Sequence, residues 1–382
     1  RGGDRRLLYG AMLATRVSLC AFFSILLARV TTIAVRYSAV RRQGQNPSGK
    51  ETQVLDYPLQ QEKLVPCIAT TYAFFYSFMK LENLRAQILD NDTILFEQLP
   101  ELHAISSGLK AYTSTIAERF SQICRVACGG HGFLVASGIK NNNNMLDAAC
   151  TYEGDNAVLL QQTARYLLKV IQLADDNVET NIESSIAYLF SIIPAPTTIV
   201  NLNDYCRLFE CRSQLLLKSI SNRLVESSST AYDKFSKNSI ELVHIAKAYV
   251  ETFIIRALYD GVHKASEHQS LALVFEQLFH VFAIHTLRNQ AIDFIRLKLL
   301  TAEQIYQLET YTLPDMYARL RPNLVTLVDA FEFHDNELDS CLGRYDGQAY
   351  EALMERARLN PSNRHKVHPV WRSIKQNTTS KL

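Results

Sequence analysis

Residues 5–40 form one uninterrupted segment in which apolar side chains recur at helical intervals, so the segment is predicted to be a single long helix. Only 14 glycines and 10 prolines interrupt the 382 residues of the chain. Because a fold of many short strands needs many turns, this sparse punctuation favours long helices. Hydrophobic residues make up 47% of the sequence, which is enough to bury a sizeable core.

The same spacing predicts further helices from residue 56 or 58 to about 89, from about 99 to 128, and from about 156 to 173. We interpret residues 41–50, the glycine pair after residue 128 and the asparagine run 141–144 as loops. Helical patterns resume at 203–226, 230–265, 267–298, 302–313, 322–333 and near 347–358. We therefore expect an all-α fold of two consecutive helical bundles, 1–175 and 176–355, followed by a tail, 356–382.

Bulk properties exclude several classes of function. The net charge of +2 does not predict nucleic-acid binding or a membrane-surface patch. The most apolar stretch, 17–28, is shorter than the roughly 20 residues that cross a bilayer, so we expect no membrane span. Eight scattered cysteines are typical of free thiols. Cys124, Cys128 and His131 have a metal-like spacing, but no second ligand pair follows, and we expect no metal site.

The two ends of the sequence differ in what they indicate. The chain begins with Arg1 and no signal pattern, which we interpret as a fragment boundary or a processed end. It ends in Ser380, Lys381 and Leu382, the tripeptide address that an import receptor reads for the peroxisome matrix. This ending predicts a peroxisomal protein.

A lone acid, Glu153, stands beside Gly154 just before the helix predicted from about residue 156, for which Asp155 or Asn156 is the expected N-cap. If it is desolvated there, its pKa would be raised and it could serve as a general base. The commoner alternative is an acid that balances the helix dipole. Gly154 would allow a ligand to approach closely.

Two other motifs have a functional and a structural interpretation. Gly129 and Gly130 would let backbone N–H groups approach a phosphate, although a simple turn after a helix has the same composition. His131 could contact a ligand or face solvent. Arg41 could offer a guanidinium fork to a pyrophosphate, or it could complement the dipole at the end of the first helix.

Taken together, these motifs resemble the C-terminal part of the peroxisomal acyl-CoA oxidases, within the acyl-CoA dehydrogenase superfamily. The resemblance spans nearly the whole chain and is densest before residue 170. The similar stretches are 9–12, 33–41, 99–104, 127–132, 150–156, 162–169, 328–331, 343–347 and the SKL end.

The resemblance implies an FAD enzyme that converts a fatty acyl-CoA and O₂ into trans-2-enoyl-CoA and hydrogen peroxide. The family's catalytic base corresponds to Glu153. The resemblance also implies that Arg41 and Gln43 bind the FAD pyrophosphate across a homodimer interface. Gly129 and Gly130 would lie against the cofactor. Gly154 and Arg16 would lie on the substrate side.

Two departures from the family keep other functions open. The helical and β-barrel domains that precede the matched part in the family are missing from this sequence. A non-catalytic helical subunit that pairs with full-length oxidases is therefore the alternative, and a dehydrogenase that passes electrons to a flavoprotein is a third. Residues 140–147 also replace a stretch that usually contains proline and aromatic residues, just before Glu153.

Overall fold

Long helices fill most of the chain, as its sparse glycines and prolines predict. The computed structural model describes residues 5–89, 92–175, 186–191, 193–226, 230–265, 269–367 and 369–379. The helices of the first half are α1 (Arg5–Val40), α2 (Pro58–Leu89), α3 (Asp92–Ala127), α4 (Ile139–Ala149) and α5 (Asn156–Asp175). Those of the second half are α6 (Leu202–Glu226), α7 (Ala231–Lys237), α8 (Ser239–Ala265), α9 (Gln269–Asn289), α10 (Ala291–Arg296), α11 (Ala302–Gln307), α12 (Leu313–Leu320), α13 (Leu324–Asp329), α14 (Asp335–Leu338), α15 (Ala349–Leu359) and α16 (Pro369–Thr379).

Two helices organise the core. In the first half α1 packs against α2 and α3, and α3 in turn packs against α5. In the second half α8 packs against α6 and α9 and also against α2 and α5. One hydrophobic core therefore runs from Leu13 to Ala349 and joins helices of both predicted bundles. The division near residue 175 stays a prediction.

Two stretches, Met12–Val40 and Pro58–Ile88, are long and apolar enough to cross a membrane by length and composition. In this fold, however, 67% and 72% of their most apolar windows are buried among the other helices. Core helices of a packed bundle meet the same test, because they are apolar on most of their surface. The burial accounts for the composition of both stretches.

The asparagine run is helical, so the loop predicted at 141–144 is wrong. Ile139, Leu146 and Ala149 are fully buried along one face of α4, which packs against α3. The Asn142 side chain donates to the Gly138 carbonyl oxygen at 2.8 Å. Tertiary burial of the apolar face thus outweighs the preference of asparagine for turns.

Several boundaries also differ from the predictions. The third helix begins at Asp92, earlier than predicted, and continues through Pro100. The segment predicted as one helix over 267–298 is divided into α9 and α10 at Gln290. The predicted loop 41–50 contains one strand, β1 (Arg42–Gln45), which forms a short antiparallel hairpin with β2 (Glu51–Gln53) just after it.

The end of the chain holds more structure than predicted, because α16 (Pro369–Thr379) lies in the expected tail. The SKL residues 380–382 lie outside the described part of the chain. All eight cysteines are free thiols, as their scattered spacing predicts.

Candidate active site

Glu153 lies in a tight turn between α4 and α5. Its φ of 55° and the φ of 116° at Gly154 both fall where side-chain-bearing residues are rare. Gly154 is constrained further, because a β-carbon there would lie 2.9 Å from the Leu159 side chain. The Glu153 side chain is exposed. A non-glycine residue held in this conformation motivates a functional hypothesis.

Asp155, and not Glu153, caps α5. Its carboxylate accepts the backbone N–H of Ala157 at 2.9 Å and that of Val158 at 3.2 Å. The first turn of α5 contains no acid, so Glu153 lies outside the turn in which an acid would balance the dipole of that helix, and this alternative is wrong. Among the residues that the structure describes, Glu153 has no hydrogen-bond or ion-pair partner. Its carboxylate is therefore available for chemistry.

Lys110, which the sequence analysis missed, holds the turn from inside the protein. Its side chain is fully buried in α3, and its ammonium donates to the Gly154 carbonyl oxygen at 2.8 Å and to Asn156 Oδ1 at 3.0 Å. The ammonium also lies 5.8 Å from the centre of the Tyr152 ring. Burial lowers the pKa of Lys110. The sequence signal that could have identified Lys110 is a charged residue on the apolar face of a predicted helix.

Arg16 approaches the same region from α1. It is 5% exposed, and its Nη1 donates to Ser107 Oγ at 3.1 Å and lies 3.3 Å from His103 Nδ1. Together with burial, the charge of Arg16 contributes to the lowered pKa of Lys110. His103, Ser107 and Lys110 are spaced along one face of α3. The structure thus brings Arg16 and the Glu153 turn to the same face of that helix.

A second cluster unites the four residues proposed for the cofactor. Arg41, Gln43, Gly129 and Gly130 all line one open cleft of about 340 Å³. A β-carbon added at either glycine would meet nothing within 4 Å, so the backbone there is open to the cleft. Gly129 has a φ of 61°, which explains why a glycine stands two residues after the end of α3. Glu153 is not among the residues that line this cleft.

The Arg41 guanidinium is held between two elements. Nη2 donates to Gln43 Oε1 at 3.0 Å, and Nη1 donates to the Tyr350 hydroxyl of α15 at 3.1 Å. The Tyr57 hydroxyl donates to the Gln43 carbonyl oxygen at 2.8 Å. Because the Gln43 amide oxygen accepts from Arg41, its NH₂ group is left as a donor.

His131 completes the wall of this cleft, and its Nδ1 lies 2.6 Å from the Tyr37 hydroxyl. Burial and the neighbouring Tyr350 raise the pKa of Tyr37, so that hydroxyl stays neutral. None of the described residues lining the cleft is acidic. A guanidinium, an amide donor and bare backbone therefore fit the pyrophosphate of FAD.

In the described part of the chain, no group of three or more His, Cys, Asp or Glu side chains is arranged to hold a metal ion. Cys124 and Cys128, from the metal-like run, are both buried. Burial raises the pKa of the Cys128 thiol, which disfavours the thiolate that a metal would need.

Two family models of the acyl-CoA oxidases match most of this chain. The acyl-CoA oxidase C-alpha1 domain matches residues 9–168, and the acyl-CoA oxidase family pattern matches residues 201–379. The chain belongs to the acyl-CoA oxidase family.

Individual relatives agree along almost the whole chain. Peroxisomal acyl-coenzyme A oxidase 1 of Cavia porcellus is 34% identical over 401 residues, which cover 99% of this chain and 59% of that protein. The putative peroxisomal acyl-coenzyme A oxidase 1.2 of Arabidopsis thaliana is 34% identical, with coverages of 94% and 55%.

Solved structures of the family have the same fold. Acyl-CoA oxidase-2 of Caenorhabditis elegans, bound with FAD, ascaroside-CoA and ATP, superimposes with a TM-score of 0.92 at 30% identity, covering 100% of this chain and 58% of that one. Arabidopsis thaliana acyl-CoA oxidase 1 has a TM-score of 0.90 at 31% identity, with coverages of 99% and 58%. This chain thus spans less than two thirds of the length of these relatives.

Proposed function

We propose that this chain is the base-bearing C-terminal part of an FAD-dependent acyl-CoA oxidase of peroxisomal fatty acid β-oxidation. The observation that carries the proposal is the exposed Glu153 carboxylate, held on a left-handed turn while Asp155 caps the next helix. Family membership supports the substrate class, a fatty acyl-CoA, with O₂ as the second substrate.

In the proposed reaction, Glu153 takes a proton from the α-carbon of the acyl thioester. The electron pair of that C–H bond forms the new Cα=Cβ bond as a hydride leaves the β-carbon, which gives trans-2-enoyl-CoA. The chemistry that bound FAD would supply is acceptance of the hydride and transfer of its two electrons to O₂, which leaves as H₂O₂ with two protons, equivalent to the α-proton taken by Glu153 and the proton of the hydride. Because the α-proton is weakly acidic, the base works best when bound substrate excludes water from the carboxylate.

The cleft beside α1 is the proposed site of the FAD pyrophosphate. The Arg41 guanidinium and the Gln43 amide would donate hydrogen bonds to the phosphate oxygens. Gly129 and Gly130 would let the cofactor lie against the backbone, because no β-carbon projects into the cleft.

The remaining roles follow from the same assignment. Arg16 and Gly154 belong to the substrate side, close to Lys110 and Glu153. A homodimer would bring the Arg41 cleft of one protomer to the FAD of its partner. Residues 380–382 would direct the protein to the peroxisome matrix through the import receptor. The division into 1–175, 176–355 and a tail, 356–382, belongs to this proposal.

The test is an oxygen-dependent assay on the complete protein loaded with FAD. With a saturated long-chain acyl-CoA under air, we expect one H₂O₂ and one trans-2-enoyl-CoA per substrate consumed. Enoyl-CoA that forms only with an added flavoprotein acceptor would indicate a dehydrogenase. A protein that gains no flavin absorbance from added FAD, yet co-purifies with another oxidase, would indicate a non-catalytic subunit. Either result would overturn the proposal.

A further inference from the structure

A buried cation lies directly beneath the turn that carries Glu153. Lys110 has no exposed surface, and its ammonium contacts two oxygens, the Gly154 carbonyl and Asn156 Oδ1, at 2.8 and 3.0 Å. Asn156 is fixed in turn, because its Nδ2 donates to Ser114 Oγ of α3 at 2.9 Å. One residue of α3 thereby reaches both sides of Asp155.

Burying an ammonium group costs free energy, so the contacts of Lys110 must offset that cost. Within the described residues Lys110 has no carboxylate at ion-pair distance. Burial has the largest effect and lowers the pKa of Lys110; of the neighbouring charges, Arg16 lowers it further and Asp155 raises it. Both hydrogen bonds of Lys110 are made to the turn, at Gly154 and Asn156, so a role that only fills space does not explain the lysine.

The turn needs such an anchor. Glu153 and Gly154 are consecutive residues with φ of 55° and 116°, a conformation that an unsupported chain leaves easily. The backbone hydrogen bond that spans it runs from the Asn156 N–H to the Cys150 carbonyl oxygen at 3.2 Å. The Lys110 bond to the Gly154 carbonyl oxygen fixes the Gly154–Asp155 peptide, which closes the turn one residue after Glu153.

We propose that Lys110 is a positioning residue for Glu153: by holding the Gly154–Asp155 peptide and the Asn156 side chain, it fixes the turn so that the Glu153 carboxylate has one direction. The inference rests on the proposed function, in which Glu153 is the base. A misplacement of about 1 Å at a reacting group costs on the order of 10²-fold in rate. Loss of Lys110 should therefore lower kcat strongly and leave the binding of the acyl-CoA intact.

The test compares Lys110→Met and Lys110→Gln with the parent in the complete, FAD-loaded protein. Glutamine keeps one donor for the Gly154 carbonyl, and it covers the case in which the methionine variant does not fold. Lys80→Met is the matched control, because Lys80 is a partly exposed lysine whose ammonium pairs with Asp260 at 2.7 Å.

Two readouts are needed, and only one depends on activity. Amide hydrogen exchange of the peptide 150–158 should be roughly ten-fold faster in Lys110→Met and intermediate in Lys110→Gln, with 277–287 of α9 unchanged. In the oxidase assay kcat should fall by about 10²-fold in Lys110→Met with KM within about two-fold of the parent. Lys80→Met should match the parent in both.

The outcomes separate this inference from the proposed function. Unchanged exchange and unchanged kcat in both Lys110 variants would overturn the positioning role, even if Glu153→Gln is inactive. A rise in KM without loss of kcat would also overturn it, because Lys110 would then serve substrate binding. If Glu153→Gln keeps full turnover, the proposed function fails instead, and faster exchange would show only that Lys110 holds the turn.

Discussion

Glu153 and Arg41 lie in different surroundings, and each surrounding matches a different chemical task. The Glu153 carboxylate has no described hydrogen-bond partner and is exposed on a strained turn. The Arg41 guanidinium is tethered by Gln43 and Tyr350 at the edge of a cleft without acids. A catalytic base must be free to accept a proton. A side chain that binds phosphate works best when it is held in place before the phosphate binds.

Arg41 should contribute directly to the affinity for FAD. We expect Arg41→Met to weaken FAD binding about 10- to 100-fold, because a charge-assisted hydrogen bond contributes roughly 1.5–3 kcal/mol. Arg42→Met is the control, since Arg42 is exposed on β1 and its Nη1 donates to the Glu51 carbonyl at 3.0 Å, outside the cleft. The measurement is a titration of flavin fluorescence. Equal affinities for the two variants would contradict the role of Arg41.

The sequence allowed part of this site to be predicted. Glu153, Arg41, Gln43, Gly129 and Gly130 lie in contiguous motifs that the sequence analysis singled out, and the structure brings the last four to one cleft. Lys110 was missed, because it lies in none of those motifs. Whether these residues act on FAD stays a prediction. Tyr350 could not be identified, because 309 positions separate it from Arg41 and only tertiary folding joins them.

At the scale of helices, apolar spacing was a good guide and polar composition a poor one. The long helices α1, α2 and α5 begin and end close to the predicted residues, because their apolar faces continue without a break. The run 141–144 was mistaken for a loop, since local preference favours turns while burial of one face favours a helix. The break between α9 and α10 contains no glycine or proline, so no sequence signal predicted it.

The two sides of α4 should respond in opposite directions to alanine. Asn144 is exposed, so Asn144→Ala should stabilise the protein by about 0.5 kcal/mol through helix propensity. Asn143 is buried and accepts a hydrogen bond from Ser121, so Asn143→Ala should cost about 1–3 kcal/mol by leaving that hydroxyl unsatisfied. Urea unfolding measures both. A shift of the same sign in the two variants would contradict the helical assignment of this segment.

At the scale of the whole molecule, a buried charge network supports the second half of the core. Arg212 is fully buried in α6 and pairs with Glu251 of α8 and with Asp293 of α10, whose carboxylate it contacts at 2.9 Å. Tyr112 of α3 donates to Glu251 at 3.2 Å. The network therefore joins helices from both predicted bundles, and periodicity alone could not reveal it.

Removal of the central cation should destabilise the protein strongly. Arg212→Met removes the cation shared by two buried carboxylates, and breaking such a buried pair costs about 3–5 kcal/mol. Arg223→Met is the matched control, because Arg223 pairs with Glu241 at the surface, where ion pairs contribute about 0–1 kcal/mol. The free energy of unfolding of each variant decides the point. A similar small loss in both would mean that the buried network is dispensable.

The proposed function of the whole molecule depends on one carboxylate, Glu153, and its replacement is the decisive measurement. The steady-state rate of H₂O₂ formation from a saturated acyl-CoA should be compared for Glu153→Gln and Glu332→Gln in the complete, FAD-loaded protein. Glu332 is the matched control, since it is an exposed glutamate that also has a positive φ, of 58°. We predict that Glu153→Gln loses about 10²- to 10⁴-fold in kcat with its flavin spectrum intact, while Glu332→Gln is unchanged. Wild-type turnover in Glu153→Gln would contradict the assignment of the base.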